Sequence, residues 1–416
     1  MDSPGTLGPA DPPTAPLETA REVLRLARKD KAAAQARLAT LSTAEQLATV
    51  CEAPVEQRAR MLDLLPEPEE IVPLLPDAEL TYTVKAVGLD DATWLLAHAT
   101  ERQLATCFDL DAWQGLTPDR AALSQWFAVL AEAGEETALR AVHAIDMETL
   151  VLYLREHVEV MLDPKDEDWQ PPEGAQTLEG QFYFVARSPV DDLAPILATL
   201  HAVFRNDYWL YFRSMQAVMW ELESDLEEWA LRWREGRLAD LGFPAWEESM
   251  RIYGYLRPEQ RNVLAEVAPG AGRTDEPMAW DLPVWIPDLP ALSERDFPIF
   301  RAAQRLDAGG RRAFFYAFVS LANKVAVADR MPLGNAASLP KAIEKAADFA
   351  SIGLESVSAA TGVAPTGVVS RASVEHLFRV GANLDPERAR PPFETQQGDE
   401  ADAAEATGEG QPATRT

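Results

Sequence analysis

Cysteine is nearly absent: Cys51 and Cys107 are the only two in a chain of 416 residues. Two lone thiols predict a reducing compartment rather than a disulfide-stapled secreted fold. Met1-Asp2-Ser3-Pro4 shows no basic stretch followed by an apolar one, so a cytoplasmic location is expected. Positive charge is also scarce, with 38 Lys and Arg against 67 Asp and Glu and a net charge of -29. Phosphate backbones and anionic headgroups both require local cationic density, which argues against nucleic acid and membrane surfaces as partners. Long apolar runs are missing as well. The longest strongly apolar stretch, Ala313 to Ala322, is bounded by Arg311, Arg312 and Lys324, whereas a spanning helix needs roughly 20 apolar residues.

Catalytic and metal signatures are wanting too. There is no phosphate-binding glycine loop, no Gly-x-Ser-x-Gly elbow, no His-Glu-x-x-His and no Cys-x-x-Cys. Asp163 to Gly174 has the acidity of a calcium loop, but Lys165 stands at its third position and Gly174 where a bidentate Glu belongs. Ser338-Leu339-Pro340-Lys341 has the Ser-x-x-Lys spacing of a lysine-activated serine, yet reads better as a helix cap followed by Pro in the first turn. His98, His143, His157, His201 and His376 lack metal-ligand spacing, apart from His157 beside Glu156 and Glu159. The two cysteines fall in helical runs and are expected to be small buried hydrophobes. No cofactor and no resident metal is expected.

What the chain does have is the composition of a folded protein, 47% hydrophobic and 25% charged, with length for two or three units. The expected class is all-α, with one or two short strands. Residues 1–16 and 386–416 read as loose tails, the second acidic. Residues 17–162 form a solenoid-like series of short helices. Ser42-Thr43-Ala44-Glu45 has capping-box spacing. Leu65-Pro66-Glu67, Leu75-Pro76-Asp77, Leu89-Asp90-Asp91, Thr100-Glu101 and Leu110-Asp111 read as successive helix starts. An acidic, Pro-rich linker at 163–177 leads to a Trp-rich helical body at 178–257. This body opens on a strand at Gln181 to Ala186, followed by a helix started by Ser188-Pro189-Val190-Asp191. A Pro/Gly-rich connector at 258–291 precedes a C-terminal helical region at 292–385, with helices at Arg311 to Asp329, Pro340 to Ser358 and Ser373 to Phe378.

Two resemblances rest on these residues. The Leu-Pro-Glu and Leu-Asp-Asp starts over about 60–160 look like the cytoplasmic superhelical domain of MgtE-type magnesium transporters, which implies a magnesium-responsive sensor; no individual ligand residue matches. The run from Glu227 to Pro244, with Leu321 to Val325, Ala328-Asp329 and Leu377 to Gly381, resembles an uncharacterised bacterial family of unknown function.

Five of the 11 tryptophans lie between Trp209 and Trp246. Leu222, Leu226, Trp229 and Trp233 share one helical stripe, so both indoles are expected to be buried, with an exposed amphipathic groove as the alternative. The candidate binding residues are Arg232, Arg234, Arg237 and Asp240, interleaved with these indoles, together with Asn323 and Asp329 opposite the apolar stripe of their own helix, where Asn323 also reads as a buried hydrogen-bonding residue. Arginine forks suit anions or carboxylates, although helical pairing with Glu227, Glu228 and Glu235 would also account for them. The reading is a non-enzymatic module that binds protein. An enzyme whose site is assembled from distant positions such as Arg232, Arg237, Asp240, Asn323 and Asp329, and the magnesium sensor, are the alternatives.

Overall fold

The computed structural model describes residues 16–166, 168–188, 193–264 and 296–391. Most of the two tails, the connector from 265 onward and the 189–192 helix start lie outside them. The described residues hold 22 α-helices and two short antiparallel strand pairs. The class is mainly all-α.

Contacts divide the chain into two compact units: residues 16–113 with 117–230, and residues 114–116, 231–264 and 296–391. The division falls between Ala230 and Leu231, inside the helix Glu223–Asp240.

In the first unit the helices are short because polar caps recur. Ser42 and Glu45 form the expected reciprocal capping box, and Thr100 forms a second with Gln103. Capping supplies partners to amides that a helix start leaves empty, commonly worth about 1 kcal/mol each. Packing supplies the rest. The helix Val55–Leu62 packs on Asp77–Val87, which packs on Glu101–Asp111, which packs on Glu135–Ala144, which packs on Ala194–Asn206. Each helix thus meets the next but one, and a continuous core runs from Ala20 to Ala230.

Two local expectations are corrected here. Leu110-Asp111 ends a helix rather than starting one. The Asp111 carboxylate accepts from Trp126 Nε1 at 3.0 Å and Lys85 Nζ at 2.9 Å, so it serves tertiary neighbours instead of a helix dipole. The strand Phe182–Ala186 pairs antiparallel with Val158–Leu162, a segment within the stretch read as helical. Alternation of Val158 and Val160 toward the core is the period-two pattern of a strand, short enough to be hidden behind the preceding helix. Residues 163–166 and 168–177 lie between these two strands in the chain.

In the second unit two long helices, Ser338–Thr361 and Val374–Leu384, pack more extensively than any other pair, with Ala308–Ala328 alongside. Asn383 ties them to the preceding loop: its Oδ1 accepts from Leu256 N at 2.8 Å and its Nδ2 donates to Gly254 O at 3.1 Å. The core gathers Phe300, Phe314, Phe318, Phe349 and Phe378. Pro258–Arg261 and Pro386–Ala389 are single helical turns at the edges of the expected connector and tail.

Candidate functional site

The six residues singled out from sequence have distinct settings. Arg232 and Asp240 are exposed and Arg237 is half-buried. Arg234 is buried and donates to the Gly115 carbonyl at 3.2 Å. Asn323 and Asp329, read as lying opposite the apolar stripe of their helix, are both buried, as the hydrogen-bonding reading of Asn323 allowed. Asn323 Nδ2 donates to Gly242 O at 3.0 Å, while its Oδ1 is buried with no hydrogen-bond partner among the described residues. Asp329 has only 1% of its side chain exposed, and its two oxygens accept from Tyr253 OH and Lys345 Nζ, each at 2.7 Å. A carboxylate so deep requires such partners, since an unpaired buried charge is strongly unfavourable.

The backbone around Asp329 is shaped to hold it. Arg330 takes a left-handed conformation with φ 51°. Its amide bonds Val327 O and the Met331 amide bonds Ala326 O, the double closure that ends many helices. Trp246 covers this end, with Nε1 3.4 Å from Ala328 O and its ring 4.8 Å below the Arg330 guanidinium. Lys345 stands at the border of a cleft of about 460 Å³, lined also by Phe297, Lys341, Glu344, Asp348, Phe349 and Arg388. One charge pair closes within the cleft wall: Arg388 pairs with Asp348 at 2.5 Å and lies over Phe349. Ser338 sits in the first helical turn with Ala337 at the cap position, one residue from its expected place.

In the first unit, Ser124 Oγ and His157 Nε2 are 2.6 Å apart. The Ser124 hydroxyl also lies 2.9 Å from the Arg120 carbonyl, a second acceptor for its proton. Burial pushes both thiols, Cys51 and Cys107, up to about 12, so neither presents a thiolate at neutral pH. Among the described residues no group of three or more His, Cys, Asp or Glu is placed to hold a metal ion.

The most unusual surface of the first unit is aromatic. Within the helix Tyr208–Trp220, the residues Tyr211, Ser214, Met215, Ala217 and Val218 face the core. Trp209 and Trp220 are 66% and 58% exposed. Eleven residues is close to three helical turns, so the two indoles share one face. Trp209 stacks on Phe212 with ring centroids 5.6 Å apart, which orients it. Leu222 follows at 65% exposure.

The expectation that Trp229 and Trp233 are buried is overturned: they are 47% and 51% exposed. In their helix the buried line is Leu226, Ala230, Arg234 and Leu238 at intervals of four. Each indole precedes a member of that line by one residue, and a rotation of about 100° per residue carries it to the side.

Acids border this surface. Arg120 reaches Glu227 at 2.9 Å, Glu223 at 2.5 Å and Glu156 at 3.6 Å, and so fastens the start of the Glu223–Asp240 helix to the body. Arg155 donates to the Glu221 carbonyl. The Glu221 and Glu228 carboxylates have no ion-pair partner among the described residues. Partial burial, and then the charges of Asp146 and Glu221, raise the Glu148 carboxyl above its ordinary value. Sequence reasoning noted the tryptophan cluster but missed that Trp209 and Trp220 face outward; their eleven-residue spacing, with Arg213 and Gln216 between them, was the available signal. It also missed Lys345 and Tyr253, which are distant in sequence from Asp329.

No helix among the described residues is long and apolar enough to cross a membrane. No curated protein and no solved structure matches the chain, so the likeness to the MgtE-type superhelical domain gains no support. Residues 35–386 match a family described as a family of unknown function, DUF6178, and on that match over most of its length the chain belongs to this family.

Proposed function

We propose that the protein is a non-catalytic, cytoplasmic interaction module that binds another protein through the aromatic surface of its first unit. One observation carries this reading: Trp209, Trp220 and Leu222, each more than half exposed, lie within 14 residues of chain. A large aromatic side chain carries roughly 150–250 Å² of surface. Leaving half of it in water forgoes about 2–3 kcal/mol per residue at ~25 cal/mol per Å². Contiguous exposed apolar surface of this kind marks interaction sites, and tryptophan is the residue most enriched among those that dominate binding energy. The next-but-one stacking of short helices supports the same reading, since solenoid-like repeats present extended surfaces to partners.

The experiment is affinity capture from the native cytoplasm, run in parallel with the wild-type chain and the Trp209→Ala/Trp220→Ala variant. Both indoles are exposed, so the variant retains the wild-type melting temperature. Proteins captured by the wild type and lost by the variant are the expected result. An identical set on both baits would dismiss the reading.

A further inference from the structure

The surface carries charge as well as aromatic rings, and acids outnumber bases along it, although Arg120 and Arg155 reach it from neighbouring helices. Between Tyr208 and Ala230 stand Glu221, Glu223, Asp225, Glu227 and Glu228 against Arg213 alone. Glu223 and Glu227 are engaged by Arg120, and Asp225 accepts from Ser224 Oγ at 3.3 Å. Glu221 and Glu228 remain unpaired among the described residues, and they adjoin Trp220 and Trp229 in sequence. Each of these indoles is about half exposed.

An exposed indole and an unpaired carboxylate act on the same class of group. The face of a tryptophan ring is the best aromatic acceptor for an ammonium or guanidinium, and a carboxylate attracts the same cation by direct charge. The apolar stem of Lys or Arg lies along the ring while its head reaches the acid. An acidic partner would meet the carboxylates of Glu221 and Glu228 beside the indoles, and the same repulsion applies to the chain's own C-terminal segment, which has six acids against one arginine from Glu394 onward.

Resting on the interaction reading above, we infer that the partner segment covering Trp209, Trp220, Leu222 and Trp229 is a Lys/Arg-rich amphipathic stretch of another protein, with apolar residues for the indoles and cations for Glu221 and Glu228. Its crowded acids fit this occupant. The Glu148 carboxyl is held above its ordinary value partly by the charge of Glu221, a sign of negative potential that a bound cation would relieve.

Isothermal calorimetry with the full chain tests the inference, using three synthetic peptides of one helical pattern: Leu with Lys, Leu with Gln, and Leu with Glu. The Lys peptide is expected to bind about tenfold or more tightly than the Gln peptide at low salt, with the gap closing as salt screens the exposed charges. Glu221→Gln/Glu228→Gln weakens the Lys peptide about two- to fivefold per charge removed and flattens its salt dependence. Trp220→Ala weakens both the Lys and Gln peptides. If the Gln peptide binds as tightly as the Lys peptide and both need Trp220, the cationic inference falls while the docking surface stands. If Lys-peptide binding ignores Trp220, or no peptide binds, the inference is overturned; indifference to Trp220 also removes the surface from consideration.

Discussion

Gly353 and Leu377 touch backbone to backbone: a Cβ placed on Gly353 would stand 1.9 Å from the Leu377 carbonyl oxygen. The relation is reciprocal four residues along each helix, where a Cβ on Gly381 would stand 2.0 Å from the Phe349 carbonyl oxygen. The antiparallel helices Ser338–Thr361 and Val374–Leu384 approach this closely because both glycines lack a side chain, and the phenylalanines of the core then close around the crossing.

Gly353→Ala and Gly381→Ala are therefore each expected to force the helices apart. Neither obstacle is a flexible side-chain end, so relief requires backbone movement, and the penalty should reach the upper end of overpacking effects, about 3 kcal/mol. Urea denaturation checks this. Gly236 is the contrast, since a Cβ placed there would meet nothing within 4 Å. Gly236→Ala gains helix propensity in the Glu223–Asp240 helix and should stabilise by about 0.5–1 kcal/mol.

Where local chemistry dictates structure, the sequence was readable. The Ser42 box stands where the hydroxyl spacing put it, because a cap is satisfied within four residues of itself. Burial was harder to read. Trp229 and Trp233 share a stripe with Leu222 and Leu226, but the neighbouring elements cover the line through Leu226, Ala230, Arg234 and Leu238 instead. Which stripe of a helix is covered depends on partners that sequence periodicity does not identify. Asp329 shows the same limit: Tyr253 and Lys345, distant along the chain, make its burial tolerable.

Cysteine reactivity offers a direct check of the core. Cys51 and Cys107 are buried, and burial pushes each thiol up to about 12. At pH 8 an alkylating reagent should leave the native chain unlabelled and modify both thiols in denaturant, as mass spectrometry would record. Rapid native labelling at either position would mean that its helix opens readily.

Glu148 carries a pH dependence of definite sign. Its carboxyl is raised by partial burial first and by Asp146 and Glu221 next. The folded state therefore holds this proton more tightly than the unfolded chain, and the group's contribution to stability is favourable at low pH and declines as pH rises past its ordinary value of 4.5. Glu148→Gln should accordingly raise the melting temperature at pH 7, and the advantage should shrink toward zero below about pH 4. Thermal melts of both proteins across that range give the answer. A variant less stable than wild type at neutral pH would reverse the assigned sign.

The Asp329–Lys345 pair separates structural from catalytic use of a buried charge. Lys345 Nζ lies 2.7 Å from Asp329 Oδ2 and 5.0 Å from the Tyr253 ring centroid, so the ammonium is held by an anion and an aromatic face together. Lys345→Met removes the ammonium that pairs with the buried carboxylate, and removal of one partner of such a pair typically costs about 3–5 kcal/mol. Asp329→Asn keeps an acceptor for Tyr253 but strands the ammonium, which at 16% exposure can partly turn to water, so its loss should be smaller. Combining the two substitutions removes both charges at once. The double variant should recover much of the stability lost in Lys345→Met, because two neutral groups of similar size need no mutual compensation. Denaturant midpoints for the three variants complete the cycle. Additive losses would mean that the two side chains act independently and that the close ion pair contributes nothing of its own.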